Sequence, residues 1–236
     1  MKFIAVMAGA LALASAANAA TYDAFDSFDG TQGAGGFTYH ILPGPAGGSA
    51  EFLTAPGASG CVVTSAYCLQ AGSGLPGVYK SLTGGAEGTY VIPDDRLLVH
   101  PGNPNPIAVF FHATTAGDYD FTVSLDILDR SPTGVGIIGV RNIGGVVSSS
   151  LLTVLGSGNP SFTSSGSFTL AAGDVFGIVV SPLGSYSNDS TGLDFTVTQV
   201  AGVPEPATWA MMLLGFGAAG AMVRQGRRAR RLCQPS

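Results

Sequence analysis

The sequence predicts an all-β protein, a single antiparallel β-sandwich of jelly-roll type, and three observations support that prediction. Between residues 21 and 203, turn-forming residues recur about every ten positions, and the runs between them are rich in Val, Ile, Phe, Thr and Tyr. Two of these runs alternate apolar and polar side chains, which places one face of each strand on a core. The 236-residue chain holds only 3 Glu and 2 Lys, too few to give soluble helices a polar face.

The alternating runs are residues 121–127 and 193–197. Other runs are apolar enough to predict strands in the centre of a sheet: 107–111, 135–140, 151–155, 168–170 and 175–180. The Gly-, Pro- and Ala-rich stretch 30–60 is expected to form a long loop or a loose entry to the domain. No window between 21 and 203 predicts a helix, and this length suits one sandwich domain over residues 20–203.

The first 19 residues have the pattern of a Sec signal peptide. Lys2 supplies the positive start, residues 3–14 form a short apolar run, and Ala17-Asn18-Ala19 is a small-x-small cleavage site. The pattern predicts that the mature protein leaves the cytoplasm. A buried helix is the alternative interpretation, but position, charge and cleavage site all favour the signal peptide.

The other end of the chain predicts a transmembrane helix over residues 207–223, which carry no charge. As a helix these 17 residues would span about 25 Å, somewhat less than a ~30 Å hydrocarbon core. Trp209 lies at the outer edge, where an indole favours the interface. Five arginines follow and predict a cytoplasmic end by the positive-inside rule: Arg224, Arg227, Arg228, Arg230 and Arg231. A buried helix with a solvated basic tail is the alternative.

The motif Pro204-Glu205-Pro206, followed by Trp209, a Gly-rich apolar helix and the arginine cluster of 224–231, resembles the PEP-CTERM sorting signal in its PEPxxWA variant. The resemblance assigns residues 204–231 to sorting. It implies a bacterial substrate of an exosortase, a membrane-embedded cysteine protease that cuts near the Pro-Glu-Pro element. Such substrates are exported, held transiently in the inner membrane and delivered to the surface or to an exopolysaccharide and biofilm matrix.

The outer domain resembles a module that is common in PEP-CTERM proteins. The elements that carry the resemblance are Asp26-Ser27-Phe28, 78–80, 98–102, 116–119, 170–174 and 189–194. It implies a jelly-roll-like sandwich, similar to carbohydrate-binding modules, with no established catalysis. At 110–112 this chain reads Phe-Phe-His, where the module usually carries an arginine and a tryptophan.

Charge excludes some partners. Residues 21–203 contain four basic and 14 acidic residues, a formal charge of −10, so this part repels nucleic acid and anionic surfaces. An acidic domain suits metal ions or neutral glycans, although acidity also serves solubility.

Cysteine spacing predicts a disulfide between Cys61 and Cys68 in an exported domain. The alternative is a pair of metal ligands, but no histidine or third cysteine lies near them in sequence. Several aspartates carry oxygens that calcium could use, among them Asp23, Asp26 and Asp29. No run supplies the six to eight oxygens that calcium needs, so turn capping is favoured and no metal or cofactor is expected.

Catalytic patterns are scarce. The chain has no G-x-S-x-G, H-E-x-x-H or P-loop motif, and its histidines are His40, His100 and His112. Carboxylate pairs of the kind that a hydrolase uses are formally available at 94–95 and at 126 and 129. Four tyrosines could stack on sugar rings: Tyr67, Tyr79, Tyr119 and Tyr186.

These features predict a non-enzymatic surface or matrix protein, with a carbohydrate-binding module as the alternative and a secreted hydrolase as the weakest candidate. Its expected partners are an exosortase-type protease, the membrane and an extracellular polysaccharide.

Overall fold

The computed structural model describes residues 19–43, 49–56, 60–72, 74–201 and 206–232, and within the last range side chains are described for 210–224. The contacts divide the chain into one compact unit, Ala19–Val200, and a second unit that contains a C-terminal helix. The predicted signal peptide lies outside the described residues.

The compact unit contains two large antiparallel sheets. The first has seven strands, in the order β13 (Ser161–Leu170), β10 (Gly117–Ile127), β15 (Thr191–Gln199), β8 (Leu97–His100), β5 (Gly77–Ser81) and β4 (Ala66–Gln70), with β1 (Ala20–Asp23) also paired to β15. The second has six, in the order β12 (Val146–Leu155), β11 (Val135–Ile143), β14 (Val175–Pro182), β9 (Ile107–His112), β2 (Phe37–Ile41) and β3 (Glu51–Phe52).

Smaller elements complete the structure. Strands β6 (Gly85–Glu87) and β7 (Tyr90–Ile92) form a two-stranded sheet, and Ala34–Gly36 is a short 3₁₀ helix. The single-turn helix α1 (Ala24–Ser27) begins after Asp23, whose carboxylate accepts hydrogen bonds from the amides of Phe25 and Asp26. This turn is a small correction to the prediction of no helix in the domain.

From β8 onward the chain alternates between the two sheets, except at the β11–β12 hairpin. This winding produces two stacked sheets whose facing sides bury a common core, so the predicted antiparallel, jelly-roll-like sandwich is confirmed. Both alternating runs behave as predicted, because Val123, Leu125, Leu193, Phe195 and Val197 are buried.

Four phenylalanines join the two sheets at the centre of the core. Phe37, Phe111 and Phe176 come from three neighbouring strands of the second sheet, and Phe195 comes from β15 of the first. Phe195 lies 5.3 Å from Phe37 and 5.8 Å from Phe176 between ring centroids, at steep interplanar angles. Such edge-to-face contacts add to the large apolar area that each ring buries.

Two expectations from the sequence were wrong. The stretch 30–60 was expected to be loop, yet it contains β2, an interior strand in which Phe37 and Tyr39 are fully buried. Its five residues Phe-Thr-Tyr-His-Ile alternate as a strand should, but the surrounding glycines and prolines obscure that short signal. Residues 151–155 and 168–170 were both expected in the centre of a sheet, yet they lie on the edge strands β12 and β13, and Leu151 is 63% exposed.

Buried carboxylates tie the loops together. Asp189 is fully buried and accepts hydrogen bonds from the Gly134 amide and the Thr133 hydroxyl, both at 2.8 Å. This links the loop before β15 to the loop before β11. Asp174 accepts from the amides of Gly144 and Ala171 at 2.8 Å, which joins two more turns.

Replacing Asp189 with alanine should therefore destabilise the domain. The substitution leaves the buried amide of Gly134 without an acceptor, and we expect a loss of about 2–3 kcal/mol in the free energy of unfolding. Urea unfolding of the full chain followed by far-UV circular dichroism measures it. Asp94→Ala is the matched control, because Asp94 is exposed, and it should change stability by less than about 0.5 kcal/mol. Equal stability of the two variants would contradict the assignment.

Candidate functional site

Three rings form a continuous row on the outer face of the second sheet, and we call Phe52, His40 and Phe110 the aromatic row. The centroid of the His40 ring lies 4.4 Å from that of Phe52 and 5.4 Å from that of Phe110. The Phe52 side chain is 57% exposed, an unusual degree for a phenylalanine in a domain with an ample core. The row is therefore a surface that a ligand can reach.

Strand alternation places the row. Phe37 and Tyr39 of β2 point into the core, so Thr38 and His40 point outward. His40 lies directly opposite Phe52 of β3, while Phe110 of β9 is paired with Thr38. The three rings thus come from three adjacent strands, which fixes their spacing through the backbone ladder.

One hydroxyl connects the row to a second histidine. The Thr38 Oγ1 atom lies 2.9 Å from the His40 Nε2 atom and 2.7 Å from the His112 Nε2 atom. A threonine hydroxyl can donate one hydrogen bond and accept another, so it fits between two neutral imidazoles. Hydrogen-bonding groups therefore lie beside the apolar rings.

The electrostatics favour neutral imidazoles at this site. Burial lowers the pKa of His40, and the charge that His112 would carry lowers it further. Burial also lowers the pKa of His112. At neutral pH the row is therefore an uncharged surface with a polar margin, which suits stacking against a flat neutral molecule.

Sequence reasoning singled out histidines and tyrosines but missed this row. Phe52 and Phe110 were not candidates, and His40 was noted only as one of three histidines. The alternation in residues 37–41 was the signal that could have found His40, because it predicts an outward Thr38 and His40. The pairing of β2 with β3 and β9, which brings the other two rings beside His40, is decided by the tertiary structure alone.

The predicted tyrosine set divides by burial. Tyr79 and Tyr119 are at most 2% exposed and so cannot stack on a sugar at the surface, which corrects that expectation for both. Tyr119 donates a hydrogen bond to the Thr115 carbonyl at 2.8 Å, the role of a satisfied core tyrosine. Tyr67 is 46% exposed on β4, outside the row.

The structure places Cys61 and Cys68 in a disulfide bond with a Cα–Cα distance of 5.9 Å. Their loop packs beside a satellite cluster on the first sheet that includes Val63, Tyr79 and Leu98. By loop entropy a bridge across seven residues contributes about 2.5 kcal/mol.

Three of the four carboxylates that were considered for hydrolysis have a structural partner, and the fourth, Asp94, is exposed. Asp95 and Asp126 both bind Arg96, with Asp126 at 2.7 Å. Asp129 accepts from the Ser190 amide and the Thr89 hydroxyl at 2.8 Å. Within the described ranges, no three His, Cys, Asp or Glu side chains group as metal ligands would.

His100 ends β8 beside a small cleft of about 230 Å³ that Tyr90, Asp129 and Asn188 also line. Its Nδ1 atom lies 2.7 Å from the Pro101 carbonyl oxygen, so this nitrogen carries the proton in the neutral ring and donates it. Burial lowers the pKa of His100, although the hydrogen bond to Pro101 opposes that shift.

The second unit is the helix α2 (Pro206–Leu232). The predicted helix over 207–223 is confirmed as helix, but it continues through the arginine segment. Arginine is a good helix former and favours helix C-termini, which explains the extension. Among the residues that the structure describes, no helix combines the length and the apolar character needed to cross a lipid bilayer.

Of the predicted sorting residues, Pro204 and Glu205 lie outside the described residues, while Pro206 begins α2. Trp209 and the arginines 224, 227, 228, 230 and 231 all lie on that helix. A family model for the PEP-CTERM protein-sorting motif matches residues 202–228. The chain carries a PEP-CTERM sorting motif. The recognition of the PEP-CTERM signal from sequence is confirmed, and the match spans the Pro-Glu-Pro element and most of α2.

No curated protein matches this chain. Among solved structures it resembles the N-terminal cellulose-binding domain of Cellulomonas fimi β-1,4-glucanase C, with 14% identity, a TM-score of 0.30, and coverage of 81% of this chain and 100% of that one. It also resembles murine APRIL, with 12% identity, a TM-score of 0.28, and coverage of 70% and 99%.

A third similar structure is the Podospora anserina GH26-CBM35 β-(1,4)-mannanase, with 16% identity and a TM-score of 0.29. The match covers 80% of this chain but only 29% of the mannanase. At TM-scores this low, none of these likenesses bears on the fold or the ligand of this chain.

The lowered histidine pKa values predict a stability that depends on pH. Each histidine binds protons more weakly in the folded chain than in the unfolded chain, where its pKa is about 6.5. As pH falls below about 6.5 the unfolded chain takes up protons first, so stability decreases and then levels off below the folded pKa values.

Thermal unfolding of the full chain at pH 8 and pH 5.5, followed by circular dichroism, should give a lower Tm at pH 5.5. His112→Gln should reduce the difference, because it removes one of the contributing groups. An unchanged or higher Tm at pH 5.5 would contradict the assignment.

Proposed function

We propose that this protein is an exported, non-catalytic component of a bacterial surface or exopolysaccharide matrix, processed by an exosortase. The single observation that carries the proposal is the PEP-CTERM motif matched at residues 202–228. The signal-peptide pattern of residues 1–19 supports export by the Sec route. The signal peptide and the sorting motif together imply four successive steps: export, retention in the membrane, cleavage near Pro204-Glu205-Pro206, and release.

In this proposal residues 207–223 anchor the intermediate transiently in the inner membrane. The segment is uncharged, but at about 25 Å it is shorter than an average hydrocarbon core, so retention requires local thinning or a protein neighbour. Gly215, Gly217, Ala219 and Ala221 supply small side chains that allow close approach of another membrane helix, such as one of the protease. A short anchor is sufficient for a segment that holds the protein in the membrane only until the protease removes it.

The absence of catalysis is part of the proposal. It is supported by the engagement of Asp126 with Arg96 and of Asp129 with Ser190 and Thr89. Each of these two carboxylates already accepts hydrogen bonds in the resting fold, whereas a hydrolase needs a pair of carboxyls that face one substrate.

Processing is tested by expressing the full chain in a host with and without its exosortase. With the enzyme, the mass should fall by the segment that follows the Pro-Glu-Pro element, and the protein should move from the membrane to the surface or medium. Without it, the uncleaved chain should stay in the membrane fraction. The measurements are intact mass and fractionation.

Replacing Pro204, Glu205 and Pro206 together with alanine should block the cleavage, because two prolines keep this segment extended for the protease. Glu51→Ala, an exposed acid on β3, is the matched control and should be processed normally. Identical mass and fractionation in both hosts would refute the sorting proposal.

A specific observation favours a second activity, binding of a neutral glycan. The aromatic row presents three adjacent rings with the Thr38 hydroxyl and His112 at its margin. Sugar rings offer apolar C–H faces for stacking and hydroxyls for such polar groups. The strong negative charge of the domain disfavours acidic polysaccharides, so a neutral one is the expected ligand.

Phe52→Ala should weaken binding of the full chain to a neutral β-linked hexasaccharide about tenfold, which corresponds to the loss of one stacking contact of about 1.4 kcal/mol. Isothermal titration calorimetry across a panel of such oligosaccharides measures the affinity. Tyr67→Ala is the matched control, an exposed ring outside the row, and should bind like the wild type. No binding by the wild type, or equal losses in both variants, would refute glycan recognition by the row.

A further inference from the structure

We propose that the cleft between the free edges of the two sheets binds a small amphipathic carboxylate, an apolar chain of roughly ten carbons with one anionic end. We call it the inter-sheet cleft. It has a volume of about 310 Å³ and is lined by inward residues of both sheets. The inference rests on neither the sorting motif nor the aromatic row.

The cleft exists because two long edge strands lie on the same side of the sandwich without pairing to each other. Strand β12 is paired to β11 and strand β13 to β10, and no ladder joins β12 to β13 within the described residues. The loop that connects these two strands, residues 156–160, holds them together at one end only. Farther along, the two sheets leave room between their inner faces.

The inner wall of the cleft is aromatic. The Phe121 and Phe168 rings stack with centroids 5.3 Å apart and planes 9° from parallel, and Phe176 lies 5.0 Å from Phe168. Gly166 makes this stack possible, since a Cβ atom there would come within 2.9 Å of the Phe121 ring. An apolar chain that packs against these rings is transferred from water to an apolar surface, and this transfer favours binding.

The mouth of the cleft is polar and carries one positive charge. Ser148, Ser150 and Ser164 line it together with Arg141, and no carboxylate belongs to the lining. The Nε atom of Arg141 donates to the Ser148 Oγ atom at 2.8 Å, which orients the guanidinium. Its two terminal nitrogens form no ion pair within the described residues.

Arg141 is the one basic side chain in the lining of this cleft, and like Arg130 it forms no ion pair within the described residues. Arg96 binds two aspartates, and Lys80 lies over the Phe25 ring and donates to the Asp26 carbonyl. The formal charge of −10 disfavours large anionic partners, but the lining of this cleft holds a guanidinium and no carboxylate, so it is locally complementary to one small anionic group. The planar fork of arginine matches a carboxylate in particular.

Equilibrium dialysis of the full chain with radiolabelled decanoate tests the proposal. We expect one saturable site with a Kd on the order of 10–100 µM. Octanoate should bind more weakly than decanoate by roughly 16-fold, because each buried methylene strengthens binding about fourfold. Absence of saturable binding would overturn the proposal.

Two variants with matched controls locate the site. Ser164→Phe fills the cleft and should reduce decanoate binding at least tenfold, whereas Ser165→Phe, on the outward face of the same strand, should not change it. Arg141→Gln should weaken decanoate about tenfold but leave decanol unchanged, whereas Arg130→Gln, at an exposed arginine outside the lining, should affect neither. Circular dichroism checks folding, and Arg141→Gln decides the question if Ser164→Phe does not fold.

Other results would overturn the proposal. Equal losses in Ser164→Phe and Ser165→Phe would place binding elsewhere. Decanol that binds as tightly as decanoate would remove the role of Arg141. A wild-type dimer that Ser164→Phe converts to a monomer would show that a second copy of this chain fills the cleft, and decanoate that is competed only by phospholipid vesicles would indicate a membrane lipid instead of a free carboxylate.

Discussion

The rest of the structure depends on the contacts that Phe195 of one sheet makes with Phe37 and Phe176 of the other, both of which also pack against Phe111. These rings fill the space between two sheets that share no backbone ladder across it. Because successive residues of a strand point to opposite faces, burying Phe37 and Phe111 turns Thr38, Phe110 and the neighbouring His40 outward. The aromatic core and the aromatic row are two consequences of one alternation.

The same packing explains why the sandwich is open on one side. The phenylalanines hold the centre of the sheets together, while beside the cleft the inward positions of the edge strands are small: Ser148 and Ser150 on β12, and Ser164 and Gly166 on β13. Side chains of that size cannot fill the space between two sheets that large rings separate. The inter-sheet cleft thus lies where the inward side chains are too small to fill the distance between the sheets, which the aromatic residues set.

Acidic and basic residues also have different places in the chain. The buried carboxylates Asp129, Asp174 and Asp189 serve backbone amides in the loops, and this use stabilises connections that consist largely of glycine, serine and asparagine. The remaining acids give the domain its negative surface. The positive charge of the chain is concentrated in the C-terminal helix, so the domain and the sorting segment differ in charge as well as in structure.

The sequence by itself determined the class of the fold, the alternating strands β10 and β15, the terminal helix and the PEP-CTERM motif, because each depends on residues that are close together along the chain. Only the tertiary structure decided that β2 is interior, that residues 151–155 form an edge, and that His40, Phe52 and Phe110 lie side by side. Neighbours in a sheet are distant in sequence, and burial depends on which strand the chain brings alongside. Local patterns record the period of a strand, but they carry no information on its position in the sheet.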